Sequence, residues 1–282
     1  MKTVKIISIG CIAMIAVSLI FNVSCKKKED NQEYSYRAAQ DNSLAEGAFN
    51  RCYSEIQKGA RQVSNKSTND TITGCPVLYI SGSWPNKTLI LDYGSTGCMG
   101  NDGVTRKGQI ITTMTGLYVD SNSVITSSFS NFSETINNVQ HNITGTHTIT
   151  NLGHNNLGHP HFSVDVQNAS VSYSEGTIHW TSQRENEWIE GYDTYLNPFD
   201  DEYYITGSAS GTDINGASFS VNITSPLLCK YCLTIYRWVV ASGKLDIVNP
   251  GYPNITVDYG NGDCDLIVYV IINGTSYTIV LG

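Results

Sequence analysis

The chain has 282 residues, 17 Lys+Arg against 25 Asp+Glu, and a formal net charge of −8. That length suits one large β domain or two small ones, and a chain this acidic lacks the positive stripe that phosphate binding needs, so no nucleic-acid partner is expected. Only 15% of residues are charged, and 17 Tyr and 25 Gly stand among abundant Ser, Thr and Asn, which argues against a helical bundle.

Residues 1–24 carry Lys2 and Lys5, an apolar run from Ile6 to Phe21, and Asn22-Val23-Ser24 directly before Cys25. This is the layout of a cleaved signal peptide. A small residue just before Cys resembles the lipobox of bacterial lipoproteins, although Asn22 stands where Leu is usual. The resemblance implies cleavage before Cys25 and fatty acylation of Cys25, palmitate included. Acyl chains hold a protein to a membrane at about 0.8 kcal/mol per buried CH₂. No other segment reaches the ~20 apolar residues that spanning requires. Lys26-Lys27-Lys28-Glu29-Asp30 resembles the surface-export signal of Bacteroidota lipoproteins, and Asp70-Thr71-Ile72 resembles the O-glycosylation site of that phylum. The expected location is the outer membrane, lipid-anchored, with cell-surface exposure.

Residues 25–42 are polar and charged and read as a flexible tether. Ser43-Leu44-Ala45-Glu46 has the form of a capping box. Ala45, Ala48, Phe49, Cys52, Ile56, Ala60 and Val63 then recur at spacings of three or four, so residues 43–64 are expected to form one amphipathic helix that packs on the β domain.

Residues 73–282 change to a period of two. Phe162, Val164 and Val166 are even-numbered, whereas Ala169, Val171 and Tyr173 are odd, which predicts a bulge near Asn168. Asn215-Gly216 and Asn273-Gly274 fit type I′ hairpin turns. Leu266–Ile272 is apolar at every position, as in a strand covered on both faces. Twelve or more strands with short connections describe an all-β domain: an antiparallel sandwich or meander, or a curved half-barrel.

Trp84-Pro85-Asn86 through Asp92-Tyr93-Gly94 before Cys98 is echoed by Tyr252-Pro253-Asn254 through Asp258-Tyr259-Gly260 before Cys264. Two related hairpins follow, near the start and the end of the β region. Beyond Cys11 and Cys25, six cysteines remain, an even number with 15 pairings. The echo narrows them: Cys75–Cys98 brackets the first hairpin and Cys232–Cys264 the second, which leaves Cys52–Cys229 to fasten the helix. Cys229-Lys-Tyr-Cys232 also matches C-x-x-C, but an apolar strand surrounds it and no second ligand pair has zinc spacing.

Chemistry-bearing residues gather in two places. His141, His147, His154, His159 and His161 cluster, with His159-Pro160-His161 as the candidate metal pair, although an incidental polar loop explains them as well. Glu185, Glu187, Glu190, Asp193, Asp200, Asp201 and Glu202 lie among Trp188, Tyr192, Tyr195 and Tyr203. Carboxylates facing a cleft are what glycoside hydrolysis uses. Rings beside them stack on sugars, which makes Trp188, Glu190, Tyr192 and Tyr195 the candidate ligand contacts. Asp258 to Asp265 supplies turn oxygens but departs from an EF-hand loop. Walker, dinucleotide, Gly-x-Ser-x-Gly and His-Glu-x-x-His motifs are missing, and no cofactor is expected.

Gly103-Val-Thr-Arg106-Lys-Gly108, Glu187-Trp188-Ile-Glu-Gly191-Tyr192, Ile205-Thr-Gly-Ser-Ala-Ser-Gly211 and Asp258-Tyr-Gly-Asn-Gly-Asp-Cys264-Asp resemble a group of uncharacterised Bacteroidota outer-membrane lipoproteins, over roughly residues 75–282. Cys75, Cys98, Cys232 and Cys264 match that group. The resemblance implies an all-β body and an envelope location, with no activity to carry over. The function expected is a non-catalytic binding module for a glycan, lipid or protein ligand. The alternatives are a structural envelope lipoprotein or a glycan-directed hydrolase using the 185–202 acidic cluster.

Overall fold

A computed structural model describes residues 26–63, 70–194, 196–234 and 237–280. One helix, α1 (Lys26–Val63), precedes fifteen strands. The first seven are β1 (Asp70–Ile72), β2 (Val77–Ser83), β3 (Asn86–Asp92), β4 (Cys98–Met99), β5 (Thr105–Met114), β6 (Val124–Ile136) and β7 (Val139–His154). There follow β8 (Pro160–Tyr173), β9 (Gly176–Glu190), β10 (Glu202–Thr212) and β11 (Ser218–Cys232). The last are β12 (Arg237–Val248), β13 (Ile255–Asn261), β14 (Ile267–Ile272) and β15 (Thr275–Val280).

All fifteen strands belong to one antiparallel sheet in sequence order, with β4 paired to β5 off the main path. Short turns keep each strand beside its chain neighbour. This selects the meander, because the sandwich would need a second sheet to cover the apolar face. That cover is α1 instead. Gln57 Nε2 donates to Tyr203 Oη on β10 at 2.6 Å, and Gly59 lies against Leu89 and Leu91 on β3. β3 and β10 are six places apart in the sheet, about 29 Å if it were flat, whereas a helix with its side chains is only about 10–12 Å wide. The sheet therefore curls around α1. Among the described residues its two end strands, β1 and β15, do not pair, so the curl stays open.

The helix begins 17 residues before Ser43, so residues 26–42 are helical rather than a flexible tether. Ser43 is exposed in mid-helix and caps nothing. Tertiary contacts extend the helix. Trp180 Nε1 donates to Asn42 Oδ1 at 3.0 Å, the Ile214 amide donates to Asp41 Oδ2 at 2.9 Å, and Arg37 pairs with Glu175 at 2.9 Å. Ala38, Ala39, Ala45, Phe49, Cys52, Ile56, Ala60 and Val63 form the buried face. Packing rather than propensity supplies most helix stability in proteins.

The sheet is broken by bulges at Lys107/Gln109, Ser128/Ser133, Thr144/Thr146, Val166/Ala169, Ile205/Ser208 and Ser242/Lys244. The break at Val166/Ala169 is the one the parity shift predicts, and Asn168 sits there at φ 51. Asn273-Gly274 has both residues at positive φ, as a type I′ turn requires. Asn215-Gly216 does not, because only Gly216 is positive; the Asp213 carboxylate caps the Asn215 and Ala217 amides instead. β14 is buried on one face only, with Tyr269 40% exposed on the other, so the two-sided cover expected of Leu266–Ile272 is absent.

Cys75–Cys98 and Cys232–Cys264 are disulfides. Cys52 and Cys229 are free thiols, so the third bridge does not exist. Cys52 lies on the helix beside Glu134 and Arg106, whereas Cys229 is on β11 between Tyr203 and Val240. The two sit against different stretches of the sheet.

Candidate functional site

Alternation along β9 separates two environments. Ile178, Trp180, Ser182, Arg184, Asn186 and Trp188 face α1; Glu185 and Glu187 face outward. The inner side is filled. Phe49 stacks on Trp180 at 5.5 Å, and Arg184 pairs with Glu46 at 2.8 Å. At one end Arg61 pairs with Asp201 at 2.7 Å and lies 4.5 Å from the Trp188 ring. The space left between Phe49, Trp180 and Arg184 is about 20 Å³, room for one water.

The outer side carries a groove of about 440 Å³, lined by Glu185, Glu187, Tyr204, Thr206, Ser225, Lys244 and their neighbours. This volume falls within the range of small-molecule sites. The groove crosses β9 to β13, five strands or about 19 Å, and follows the bulges of β10–β13. Gly243 sits there at φ 106, and a Cβ on it would lie 2.3 Å from the Pro226 carbonyl oxygen. Only glycine lets β12 approach β11 that closely. Tyr204 is directly opposite Glu187, Thr206 opposite Glu185, and Ser225 opposite Lys244.

Three side chains from the β7–β8 turn and β8 hold the two carboxylates. His159 Nδ1 and Asn155 Nδ2 each donate to Glu187 Oε1 at 2.7 Å. His161 Nδ1 lies 2.8 Å from Glu185 Oε1. The His159 hydrogen bond holds the Glu187 carboxyl below the usual range. On the far wall Lys244 Nζ pairs with Asp258 Oδ2 at 2.9 Å, which holds Asp258 down as well. The groove thus offers fixed acceptors, hydroxyls, one ammonium and the ring of Tyr204, which is 40% exposed.

The expected contacts do not meet there. Trp188 is 1% exposed and stacks on Tyr203 at 5.7 Å inside the sheet, so it offers no surface to a ligand. Its even position puts it on the inner row. Glu190 is exposed at the end of β9. Tyr192 is half-buried, edge-on to Trp188 and 6.1 Å from the His159 ring. Tyr195 and Cys25, the residue expected to be acylated, lie outside the described residues. The acidic run is dispersed: Asp201 is buried against Arg61, and Asp200 accepts from Thr194. The rings of His159 and His161 bond separate glutamates, and among the described residues no group of three metal-ligating side chains exists. Cys229 is no redox thiol, since burial pushes it up to about 12 and Cys232 is bonded to Cys264. Tyr204, Ser225 and Lys244 lacked a sequence signal because they converge only through bulges on separate strands. Comparison of the chain with family models, with curated proteins and with solved structures finds no match.

Proposed function

We propose that this protein is a lipid-anchored envelope protein, held by acylated Cys25 in the outer membrane, that binds a polar ligand non-catalytically in the outer groove. The observation that carries the reading is the braced pair Glu185 and Glu187 facing Tyr204 and Lys244 across β9–β13. Carboxylates locked by neighbouring rings are preorganised, which lowers the cost of ordering on binding. The filled interior speaks against carriage of a lipid inside the sheet. Hydrolysis is disfavoured because Glu185 and Glu187 are successive outward residues of one strand. Glycosidase carboxylates instead flank the scissile bond from two sides. Two disulfides and the signal-like residues 1–24 support an oxidising compartment.

Mass spectrometry of the isolated protein is expected to show an acylated Cys25, and an unmodified Cys25 sinks the anchoring claim. A binding array spanning glycans, lipids and envelope proteins is expected to yield a ligand. Its affinity should fall about tenfold or more, some 1.4 kcal/mol, in Tyr204→Ala and in Glu187→Gln. A ligand that both variants retain at full affinity places binding elsewhere.

A further inference from the structure

Among the described residues the sheet ends in two unequal edges. β1 is three residues long and carries Asp70. β15 runs Thr275–Val280, paired to β14 without interruption from Ile272↔Thr275 to Ile267↔Val280. Natural edge strands are guarded by charge, proline, a bulge, extreme shortness or a cover. β15 contains no charged residue, no proline and no bulge, and all of its residues except Ile279 are exposed. Thr275, Tyr277 and Ile279 stand opposite the buried Ile272, Val270 and Val268 and so continue the inner row. Yet Tyr277 on that row is 41% exposed. The apolar row runs out into solvent at this strand, which among the described residues is held by one ladder only.

We propose that β15 is a self-association edge, on which a second copy of this chain docks antiparallel and carries the sheet across a two-fold axis. The register with Thr278 opposite its own copy sets Tyr277 against the partner's Ile279 on the inner row, an aromatic–aliphatic pair of the kind that stabilises strand pairing. The strand is uncharged in a chain of net charge −8, so two acidic molecules meet where neither presents a charge. β1 offers half the ladder and an aspartate, so β15-to-β1 stacking into a filament is disfavoured and the assembly closes as a dimer.

Sedimentation of the full chain, with bound detergent density-matched, tests this over concentrations bracketing a micromolar dissociation constant. The wild type is expected at twice the monomer mass of the processed, acylated chain at the upper end and to dissociate on dilution. Thr278→Lys, at an exposed position, is expected to weaken association at least tenfold with its thermal transition unchanged. Thr278→Cys is expected to form a disulfide-linked dimer under mild oxidation, a readout that does not depend on the folding of the lysine variant. A wild type monomeric throughout, a dimer that Thr278→Lys leaves intact, or a Thr278→Cys protein that stays monomeric on oxidation overturns the proposal.

Discussion

His147 sits on the inner row of β7, its ring 6.0 Å from that of Tyr53, and among the described residues its Nδ1 has no hydrogen-bond partner. Burial pushes its pKa down from 6.5 to about 4. Between those values the unfolded chain takes up a proton that the folded chain refuses. Stability therefore rises with pH across this window and is lost as pH falls through it. The loss is about 3 kcal/mol, from (6.5 − 4) × 1.36. Urea denaturation from pH 4 to 7 is expected to show this acid limb in the wild type and a shallower one in His147→Gln. Parallel curves would assign the acid sensitivity to other groups. The neighbouring segment shows why the residue scale was only half legible. Alternation in Glu185-Asn186-Glu187-Trp188 is plain in the sequence, but which parity faces α1 is not, and choosing Trp188 for the surface chose the wrong row.

At the scale of elements, the bulges set the shape. Gly207 lies at the break between Ile205 and Ser208 with φ 114, and a Cβ there would lie 2.2 Å from the Gln183 carbonyl oxygen. Gly216 has φ 82 with nothing within 4 Å of a Cβ. Both substitutions to alanine force an unfavourable backbone, costing about 1–2 kcal/mol. Only Gly207→Ala must also push β10 off β9. Thermal unfolding is expected to place Gly207→Ala well below Gly216→Ala, and equal losses would mean the bulge is not tightly packed. The long helix follows the same logic. Residues 37–42 are polar enough to read as tether, yet Asn42, Asp41 and Arg37 find their partners on Trp180, Ile214 and Glu175.

For the whole molecule, the two disulfides clamp opposite ends of the meander. Cys75–Cys98 spans β2–β3 with a separation of 23, and Cys232–Cys264 spans β12–β13 with 32. Loop-closure entropy gives about 3–4 kcal/mol for each. Reductant is expected to lower the thermal transition, while Cys52, buried on the inner face of the helix, reacts with thiol reagents only on unfolding. Rapid labelling of Cys52 in the native protein would show that the helix face opens readily. The echo strands β3 and β13 both pack on α1, so these clamps also fix where the curled sheet grips its helix.

The sequence by itself determined what depends on neighbours along the chain: the strand period, the bulge at Asn168, the Asn273-Gly274 turn, the buried face of the helix after Ser43, and the two disulfides that bracket repeated hairpins. The rest belongs to the tertiary structure. The reach of α1 back to Lys26, the separation of Cys52 from Cys229, the inward turn of Trp188 and the convergence of Glu187, Tyr204 and Lys244 on one groove all depend on how a curled sheet wraps its helix. Residues far apart in the chain meet there through accumulated bulge and twist, and no local spacing encodes that sum.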